Sequence, residues 1–473
     1  MYEPHRLHPA AILEFLITNI YKLVQAMLPL MLLALGNSVI RKWLIVILPL
    51  MLLCFIIYGA LYWLRYVYYI QDHELRLEFG VIVRKKRYIS FERIQTVQVS
   101  AGVIQRLFGL VKLQVETAGS GSNAELSLPA VSRAKAEALQ MILQNTTGFK
   151  SAVANEEDLQ QFQLTTPALL LLGSTSNSLG LVLAGMLTII SQLDKLIPGE
   201  NIWERFSEYA GQVLSETVGT ILLILVAVFL LAWLLSLLGN IILFGGFSLK
   251  RDGDNLKISR GLLEKKQLTI PIRRIQAVRL VEGILRQPLG MVSIKVVTIS
   301  NTGEKGEGNV IMPIIALSEA EDFLRKVVPE FYVSLDTEPL PLRSRIRYIA
   351  INLIPALVMV ILASYFLPYG YLSLILLPLA LGLGKIQYRD AGLKVQDGIM
   401  LIRSRTLGRV STIIPRPKIQ SLSITYTYFQ ARNTLTTLKI SIASGTVATW
   451  VKLVGMDENR SLVISQWFSR SLG

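Results

Sequence analysis

The chain has 473 residues, of which 52% are hydrophobic and only 17% are charged, and its mean hydropathy is +0.48. Because soluble domains carry about a quarter charged residues, this composition argues against a soluble protein and indicates a membrane protein. The 48 Lys and Arg residues outnumber the 33 Asp and Glu residues, which favours an anionic lipid surface as a neighbour. Nucleic acid is the other common partner of a basic chain, but no other feature of the sequence supports nucleic acid binding.

The first apolar region predicts a transmembrane hairpin over residues 1–66. The stretch from about Ala10 to Ile40 is interrupted by polar residues, which indicates an interfacial amphipathic helix followed by a span. The stretch from Trp43 to Leu64 is long enough to cross a hydrocarbon core of roughly 30 Å. Five tyrosines and Trp63 cluster at its end, as is typical of a helix that leaves a bilayer.

Two further transmembrane hairpins are predicted over residues 167–245 and 345–386. In the earlier of the two, Pro167–Leu193 contains an internal polar patch, whereas Thr217–Phe244 is uniformly apolar. In the later one, a Pro-Tyr-Gly sequence predicts a tight turn between the two spans. The sequence therefore predicts six crossings in three hairpins.

The distribution of charge over the loops predicts the orientation. Three long polar segments follow the second, fourth and sixth crossings, and they hold 42 of the 48 Lys and Arg residues. The connector over residues 194–216 is acidic on balance, as expected of an outer loop. The polar segments and the N-terminus are therefore expected to be cytoplasmic, although Arg41 and Lys42 in the first outer loop argue for the opposite orientation.

Within the three polar segments, residues 67–150, 246–332 and 387–473 repeat one pattern. Each segment starts with an alternating strand that ends at a glycine, namely Gly80, Gly261 or Gly398. Each continues with a basic-Ile-Gln triplet, namely Arg93-Ile94-Gln95, Arg274-Ile275-Gln276 or Lys418-Ile419-Gln420. The isoleucine follows the glycine by 14 residues in the first two copies and by 21 in the third, which predicts a longer hairpin in the third copy.

Further alternating strands follow in each copy, and an amphipathic helix closes it, starting at Ser132, Ser318 or Asp457. Several short strands closed by one C-terminal helix indicate a small sandwich or a partly open barrel. The predicted fold class is therefore an α+β membrane protein. It combines α-helical transmembrane hairpins with three β-sandwich or barrel domains, each closed by a C-terminal helix.

Basic residues recur in the hairpins that follow the repeated glycines. They are Arg84, Lys85, Lys86 and Arg87 in the first copy, Lys265 and Lys266 in the second, and Arg403 and Arg405 in the third. Such recurring cations suit contact with a partner or with anionic lipid headgroups, each headgroup contact being worth about 1 kcal/mol. The alternative is that they are solvated edge-strand charges that discourage aggregation.

Nine polar residues are candidates for contacts at a domain interface. They flank the repeated isoleucine or lie shortly beyond the strand that it begins: Arg93, Gln95, Arg106, Arg274, Gln276, Arg286, Lys418, Gln420 and Arg432. Since the isoleucine is expected in the core, its neighbours point to the opposite face of the strand. They either satisfy backbone groups at the strand end or contact another domain.

An intramembrane polar patch interrupts the third predicted crossing and contains Ser174, Ser176, Asn177 and Ser178. Such a patch either marks a discontinuous helix that lines a transport path or consists of small residues packed between helices. The second, fourth, fifth and sixth spans have no central charged residue, which disfavours an ion-coupled transporter.

No enzyme chemistry is indicated by the sequence. It contains no glycine-rich phosphate loop, nucleophile elbow, HExxH motif or paired-carboxylate motif. His5 and His8 have no second pair of ligands, and a single cysteine, Cys54, excludes an intramolecular disulfide. We therefore expect no catalytic residue, no cofactor and no metal site.

Four motifs carry a resemblance to a known family: Arg6-Leu7-His8-Pro9, Ile89–Val97, Gln105–Leu110 and Val115–Gly119. Through them the chain resembles bacterial membrane proteins with pleckstrin-homology-like (PH-like) domains, of the YdbS/YdbT type. The resemblance covers nearly the whole chain. Three domains with paired spans resemble the longer, YdbT-like kind within that family.

The resemblance implies a PH-like fold for each β domain, a bacterial plasma membrane and a smaller PH-like-domain membrane protein as partner. It also implies a role in cell-envelope protection against antimicrobial peptides and no enzyme activity. We therefore expect a non-catalytic membrane scaffold whose domains bind proteins or anionic lipid, with oligomer formation left open. The alternatives are transport through the hairpins and the sensing of anionic lipid.

Overall fold

The computed structural model describes residues 4–17, 19–20, 38–91, 94–117, 126–146, 161–176, 180, 182–185, 218–298, 309–367, 369–443 and 449–469. In these ranges the chain forms three β domains, called domains 1, 2 and 3 in chain order, with apolar helices before each domain. Each domain contains a first and a second antiparallel sheet and ends in one helix. No sheet closes into a barrel in the described ranges, so the predicted α+β fold class is confirmed in its sandwich form.

Four helical stretches in the described part of the chain are long and apolar enough to cross a membrane: Val46–Arg65, Val226–Phe244, Leu342–Phe366 and Gly370–Asp390. They coincide with the second, fourth, fifth and sixth predicted crossings. The first and third predicted crossings are described only in part, because residues 18, 21–37, 177–179, 181 and 186–193 lie outside the described residues. The helices of the membrane segments are α1 (11–17), α2 (Ser38–Arg65), α5 (Thr166–Ser174), α6 (Val218–Phe244), α8 (Arg345–Phe366) and α9 (Leu376–Asp390).

Domain 1 shows the arrangement that the other domains repeat. Its first sheet contains β1 (His5–Arg6), β2 (Val67–Gln71), β3 (Glu74–Phe79) and β4 (Lys85–Ser90). Its second sheet contains β5 (Ile94–Ala101), β6 (Leu110–Thr117) and β7 (Leu126–Ser132), and its helices are α3 (Val103–Leu107) and α4 (Arg133–Thr146). Apolar and polar residues alternate along these strands because one face of each sheet covers the domain core.

Domains 2 and 3 contain the same series of elements. Domain 2 has β8 (Gln161–Gln163), β9 (Ser248–Asp252), β10 (Asn255–Arg260), β11 (Lys265–Pro271), β12 (Ile275–Glu282), β13 (Met291–Thr298), β14 (Asn309–Ala316) and α7 (Leu317–Val327). Domain 3 has β15 (Glu338–Pro339), β16 (Gly392–Gln396), β17 (Ile399–Arg405), β18 (Arg409–Pro415), β19 (Ile419–Thr425), α10 (Tyr428–Arg432), β20 (Leu435–Ile442), β21 (Thr449–Asp457) and α11 (Glu458–Ser469).

Each membrane segment starts and ends at neighbouring strands of one sheet. Strand β1 pairs with β2, β8 with β9, and β15 with β16, all antiparallel. The chain therefore contributes a short strand to a domain, passes through the membrane segment, and returns beside that strand. This pairing holds each domain at the base of its own membrane helices.

The register of the third repeat differs from the sequence prediction. Gly398 lies in the turn between β16 and β17, where domain 1 has His73 and domain 2 has Asp254, whereas Gly80 and Gly261 lie one hairpin later. The repeated isoleucine follows these three turn residues by 21 positions in every domain. The predicted longer hairpin in the third copy was therefore wrong. A glycine suits either turn, so the glycine alone could not set the alignment.

The cores of domains 2 and 3 are interlocked, whereas domain 1 has a core of its own. Leu401 and Ile413 of domain 3 are fully buried in the cluster that fills domain 2. Ala277 and Val297 of domain 2 are buried in the cluster that fills domain 3. Domains 2 and 3 therefore share apolar burial as well as a common sheet.

Candidate functional site: the strand-paired domain junctions

Neighbouring domains are joined by strand pairing at two junctions. At junction 1–2, β5 of domain 1 pairs antiparallel with β11 of domain 2, and at junction 2–3, β12 of domain 2 pairs antiparallel with β18 of domain 3. Each junction contains five registered residue pairs, and each produces a seven-stranded sheet that spans two domains. The second sheet of one domain thus continues into the first sheet of the next through backbone hydrogen bonds.

In the part of the chain that the structure describes, two side-chain hydrogen bonds cross junction 1–2. Arg106, one of the interface candidates, donates from Nη1 to the carbonyl oxygen of Leu262 over 2.9 Å. Gln140 on α4 donates from Nε2 to Oγ1 of Thr269 over 3.2 Å. These bonds accompany the backbone pairing, which covers five residue pairs.

Junction 2–3 contains a buried ion pair where β12 ends and β18 begins. Nε of Arg409 lies 2.7 Å from Oε1 of Glu282, and Nη2 contacts the other carboxylate oxygen. The Glu282 side chain is 3% exposed and that of Arg409 is 18% exposed. The hydrogen bond to Glu282 raises the pKa of Arg409 above its ordinary value. Such a bidentate pair is both strong and geometrically specific.

Two cations that were predicted on an exposed hairpin, Arg403 and Arg405, lie beside this junction, and Arg405 forms a second ion pair there. Nε of Arg405 lies 2.5 Å from Oδ2 of Asp390, with both side chains almost fully buried, and Arg405 also contacts Gln287 of domain 2. Arg403 donates from Nε to Oγ of Ser411 over 3.1 Å, and burial lowers its pKa. Both arginines lie at the end of β17 beside the domain contact, one strand earlier than the Gly398 alignment indicated.

The basic hairpin of domain 1 is exposed as expected. Its four cations are Arg84, Lys85, Lys86 and Arg87. Nζ of Lys86 lies 2.8 Å from Oε1 of Glu78, and the Arg87 guanidinium lies 5.6 Å from the centroid of the Phe79 ring. In domain 2, Lys265 and Lys266 begin β11 and take part in junction 1–2. Contact of these side chains with headgroups remains a prediction.

The triplets around the repeated isoleucine lie where the chain passes from the first to the second sheet. Ile94 and Ile275 are fully buried, as predicted. Gln276 is buried and donates from Nε2 to the carbonyl oxygen of Arg274 over 3.1 Å, so it satisfies a strand-end backbone group. Gln95 lies on β5, and Arg93 lies outside the described residues.

The third triplet contributes one contact between domains. Lys418 donates from Nζ to the carbonyl oxygen of Arg273 in domain 2 over 2.8 Å. Burial lowers the pKa of Lys418, and the nearby Arg274 lowers it further. Gln420 accepts a hydrogen bond from Ser441 within domain 3, and Arg432 is exposed at the end of α10. Of the three candidates in the third copy, Lys418 is the one that forms a hydrogen bond with another domain in the described ranges.

Sequence analysis missed the contacts that tie domain 1 to its preceding membrane segment. Gln105 donates from Nε2 to Oε2 of Glu14 on α1 over 2.8 Å, and Nζ of Lys112 lies 3.0 Å from the other carboxylate oxygen. A carboxylate within an apolar region needs a partner, so Glu14 was the available signal. It was assigned only as an interruption of the apolar stretch.

Domain 2 makes the equivalent contact with Arg286. This residue lies eleven positions after Ile275, as Gln105 lies after Ile94. Its Nε donates to Oγ1 of Thr175 at the end of α5 over 3.1 Å, and its Nη1 contacts Ser293. Burial lowers the pKa of Arg286. Arg286 therefore joins its domain to a membrane helix.

The intramembrane polar patch forms hydrogen bonds between α5 and α6. Oγ of Ser176 lies 3.1 Å from Oγ of Ser236, and Asn240 donates from Nδ2 to Oγ of Ser176 over 3.0 Å. Ser174 bonds the carbonyl oxygen of Leu171 in its own helix. Two patch residues lie outside the described residues: Asn177 and Ser178. The described part of the patch has the geometry of polar residues packed between helices.

The junctions contain ion pairs and hydrogen bonds, and no catalytic constellation lies beside them in the described ranges. In those ranges no group of three or more His, Cys, Asp or Glu side chains is placed to hold a metal ion. A cavity of about 650 Å³ between α8 and α10 is lined mainly by apolar side chains together with Arg343 and Arg347.

A known protein family matches this chain three times, once for each β domain. A family model described as Bacterial PH domain matches residues 19–147, 210–330 and 349–471. The UPF0699 transmembrane protein YdbT of Bacillus subtilis (strain 168) is 32% identical over 490 residues, which cover 99% of either chain. Each family match starts in a membrane segment and ends beside the helix that closes the domain, so the family unit combines membrane helix and β domain.

Proposed function

This chain belongs to the UPF0699 family of transmembrane proteins with bacterial PH domains, and from that premise we propose that it is a non-catalytic scaffold of the bacterial plasma membrane. Its PH domains bind other PH domains, first within the chain and then on a smaller relative that carries one such domain. The assembly serves cell-envelope protection against antimicrobial peptides. The observation that carries the proposal is the joining of the domains by strand pairing at two junctions.

The two junctions support a general mode of recognition between PH domains. In both, the first strand of a second sheet pairs with the fourth strand of a neighbouring first sheet, over five residue pairs. Main-chain hydrogen bonds of this kind supply affinity, and side chains such as Arg409 and Glu282 supply specificity. Three linked domains also raise the effective concentration of each for a partner, so weak individual contacts are sufficient.

The proposed orientation places all three domains and the N-terminus in the cytoplasm. Support comes from the 42 Lys and Arg residues in the segments that contain the domains and from the acidic connector at residues 194–216. In this orientation the domains lie next to the anionic inner leaflet, which attracts basic segments.

Purification of the tagged full-length chain from native membranes in mild detergent tests the proposal. We expect the smaller single-PH-domain relative to co-purify in a fixed ratio. We also expect a strain without the chain to be more sensitive to membrane-active antimicrobial peptides. A tagged multi-pass protein of unrelated fold controls for non-specific association. A partner-free, monodisperse chain together with unchanged peptide sensitivity contradicts the proposal.

Removal of the Ser176 hydroxyl distinguishes the scaffold function from a transport function. Ser176→Ala deletes hydrogen bonds with Ser236 and Asn240, and such interhelical bonds average about 0.6 kcal/mol in membranes. We expect a small loss of thermal stability in detergent, with unchanged co-purification and peptide survival. Ser364→Ala, at an exposed position on α8, is the matched control. If Ser176→Ala abolishes survival while the complex stays intact, the patch lines a transport path.

A further inference from the structure

Two strand edges of the junction type have no partner strand in the described part of the chain. The second sheets of the three domains begin with β5, β12 and β19, and of these β5 and β12 pair with the next domain. Strand β19 lies at the edge of a three-stranded sheet. Strand β4 occupies the position of β11 and β18 and lies at the edge of the domain 1 sheet.

We propose that β19 of one copy pairs with β4 of a second copy, which repeats between chains the contact already made twice within the chain. The inference rests on the proposed function in one respect, namely that these PH domains act by binding one another. It deepens that function by naming the surface and the occupant. The occupant is the first sheet of domain 1 from another copy.

The internal junctions determine the register of this contact. At junction 1–2, Lys265 faces Ala101 and Thr269 faces Val97. Counting from the repeated isoleucines and from the hairpin glycines, the corresponding pairs are Arg84 with Tyr426 and Tyr88 with Leu422. Between these ends, Arg87 faces Ser423 and Lys86 faces Ile424. The pairing covers five residues on each strand, as in both internal junctions.

Burial on the β19 side supports the pairing. Leu422 corresponds to Val97 and Val278, which are 2% and 0% exposed at the two internal junctions. Leu422 and Ile424 remain only half-buried along β19. A partner strand would remove this apolar surface from water, which is the main favourable term in association.

The β4 side shows the same difference. Tyr88 is 55% exposed, whereas its counterparts Thr269 and Ile413 are 4% and 0% exposed in paired strands. A tyrosine at an unpaired edge presents a large apolar ring with a polar end, a residue type enriched in interfaces. Both edges are therefore less buried at the positions that the internal junctions cover.

The charges of the two edges are compatible. Residues 422–426 contain no charged side chain, whereas β4 and the residue before it contribute four cations. A cation occupies the same aligned position in all three domains, ten residues before the repeated isoleucine, as Arg84, Lys265 and Arg409. Arg409 faces Glu282, whereas Arg84 would face the 66% exposed ring of Tyr426. An aromatic face attracts a guanidinium, so Tyr426 can take the place of the carboxylate.

The contact is head-to-tail, since it joins different surfaces of the two copies. Heterologous contacts of this type close into rings or continue as open arrays, depending on the rotation between neighbours. Because every domain is attached to membrane helices, the rotation axis must lie along the membrane normal. The expected assembly is thus a ring or row of chains in the plane of the membrane.

Disulfide cross-linking in native membranes tests the register. Two differently tagged full-length chains are co-expressed in a Cys54→Ser background, one with Arg87→Cys and the other with Ser423→Cys. Opposed residues on antiparallel strands have Cα atoms about 4.5–5.5 Å apart, within reach of a disulfide. We expect oxidation to cross-link the two tags.

Two matched controls calibrate this experiment. Gln98→Cys with Leu268→Cys places the same pair of positions in junction 1–2 within one chain, where it should form an intrachain disulfide. Lys85→Cys with Ser423→Cys shifts the pair by two residues, about 7 Å along the strand, and should not cross-link. Cross-linking that does not distinguish Lys85 from Arg87 overturns the proposed register.

Charge substitutions on β19 give a second readout. Ser423→Lys with Thr425→Lys adds cations opposite Lys85 and Arg87, and we expect the cross-linked fraction of a Lys86→Cys, Ile424→Cys pair to fall at least about tenfold. Ser423→Glu with Thr425→Glu should raise it. Both positions are polar and at least partly exposed, so either pair of substitutions is tolerated by domain 3. Equal cross-linking in the lysine and glutamate variants overturns the inference.

The inference and the proposed function fail differently. If the internal control cross-links but β4 and β19 do not, and the smaller relative still co-purifies, then the inference is overturned and the proposed function stands. If β4 and β19 cross-link in register but no relative co-purifies and peptide sensitivity is unchanged, then self-association is supported and the proposed function is contradicted.

Discussion

Arg409→Met is expected to destabilise the unit of domains 2 and 3 by about 3–5 kcal/mol, because it leaves the Glu282 carboxylate buried without its partner. The Glu282 side chain is 3% exposed, and its two oxygens both contact Arg409. Glu282→Met should cost less, since the 18% exposed Arg409 side chain can turn towards water. The double variant, with both charges replaced, should recover much of the loss, because a buried ion pair is often no more stable than an apolar pair of similar size.

Thermal denaturation in detergent measures this loss, and hydrogen exchange locates it. In Arg409→Met, the backbone amides of β12 and β18 should lose protection, whereas those of β5 and β11 at junction 1–2 should not. Lys86→Met is the matched control, because it removes an exposed ion pair with Glu78 and should have no measurable effect. Equal effects of Arg409→Met and Lys86→Met would show that the buried pair does not hold junction 2–3.

Gly384→Leu is expected to disrupt the third transmembrane hairpin, at a cost of about 3 kcal/mol, the upper end of the range for overpacking. A Cβ atom at Gly384 would lie 2.7 Å from Cα of Ile349 and 2.9 Å from the carbonyl oxygen of Tyr348. These are backbone atoms of α8, so no side-chain rotation relieves the overlap and the two helices must separate. Small residues permit such close approach between membrane helices.

Gly382→Leu provides a control two residues away in the same helix. A Cβ atom at Gly382 would meet no atom within 4 Å, so the same change should be tolerated, and leucine favours helix over glycine. The thermal midpoint and the yield of monodisperse protein in detergent should fall for Gly384→Leu alone. The bond from Asn352 to Gln387, 2.7 Å long between α8 and α9, should break with it. If the two leucine variants are equally stable, the helices do not need Gly384 at their crossing.

Local patterns in the sequence were sufficient to predict the membrane spans, the strands and the repetition of the β domain. Apolar stretches of about twenty residues predicted the spans at Trp43–Leu64 and Thr217–Phe244, since a bilayer imposes that length on any helix that crosses it. Alternation of apolar and polar residues predicted the strands, because a half-buried sheet imposes a period of two. The resemblance to bacterial PH-domain membrane proteins is confirmed by the family match to all three repeats.

The candidate site was only partly accessible to this reasoning. The basic-Ile-Gln triplets located the ends of the sheets, and Lys418 does contact domain 2. Glu282 was not predicted, because 127 residues separate it from Arg409 and neither residue belongs to a motif. Arg403 and Arg405 were assigned to an exposed hairpin, because Gly398 was matched to the wrong turn. In three dimensions they lie at the contact with domain 2.

The sequence by itself determined which segments are apolar enough for the membrane, which form strands, and that one β domain occurs three times. Those properties depend on short-range periodicity, which a chain displays residue by residue. Only the tertiary structure decided which strand edges meet and which edges stay open. Backbone donors and acceptors are the same in every strand, so no local pattern encodes that β5 pairs with β11 and β12 with β18.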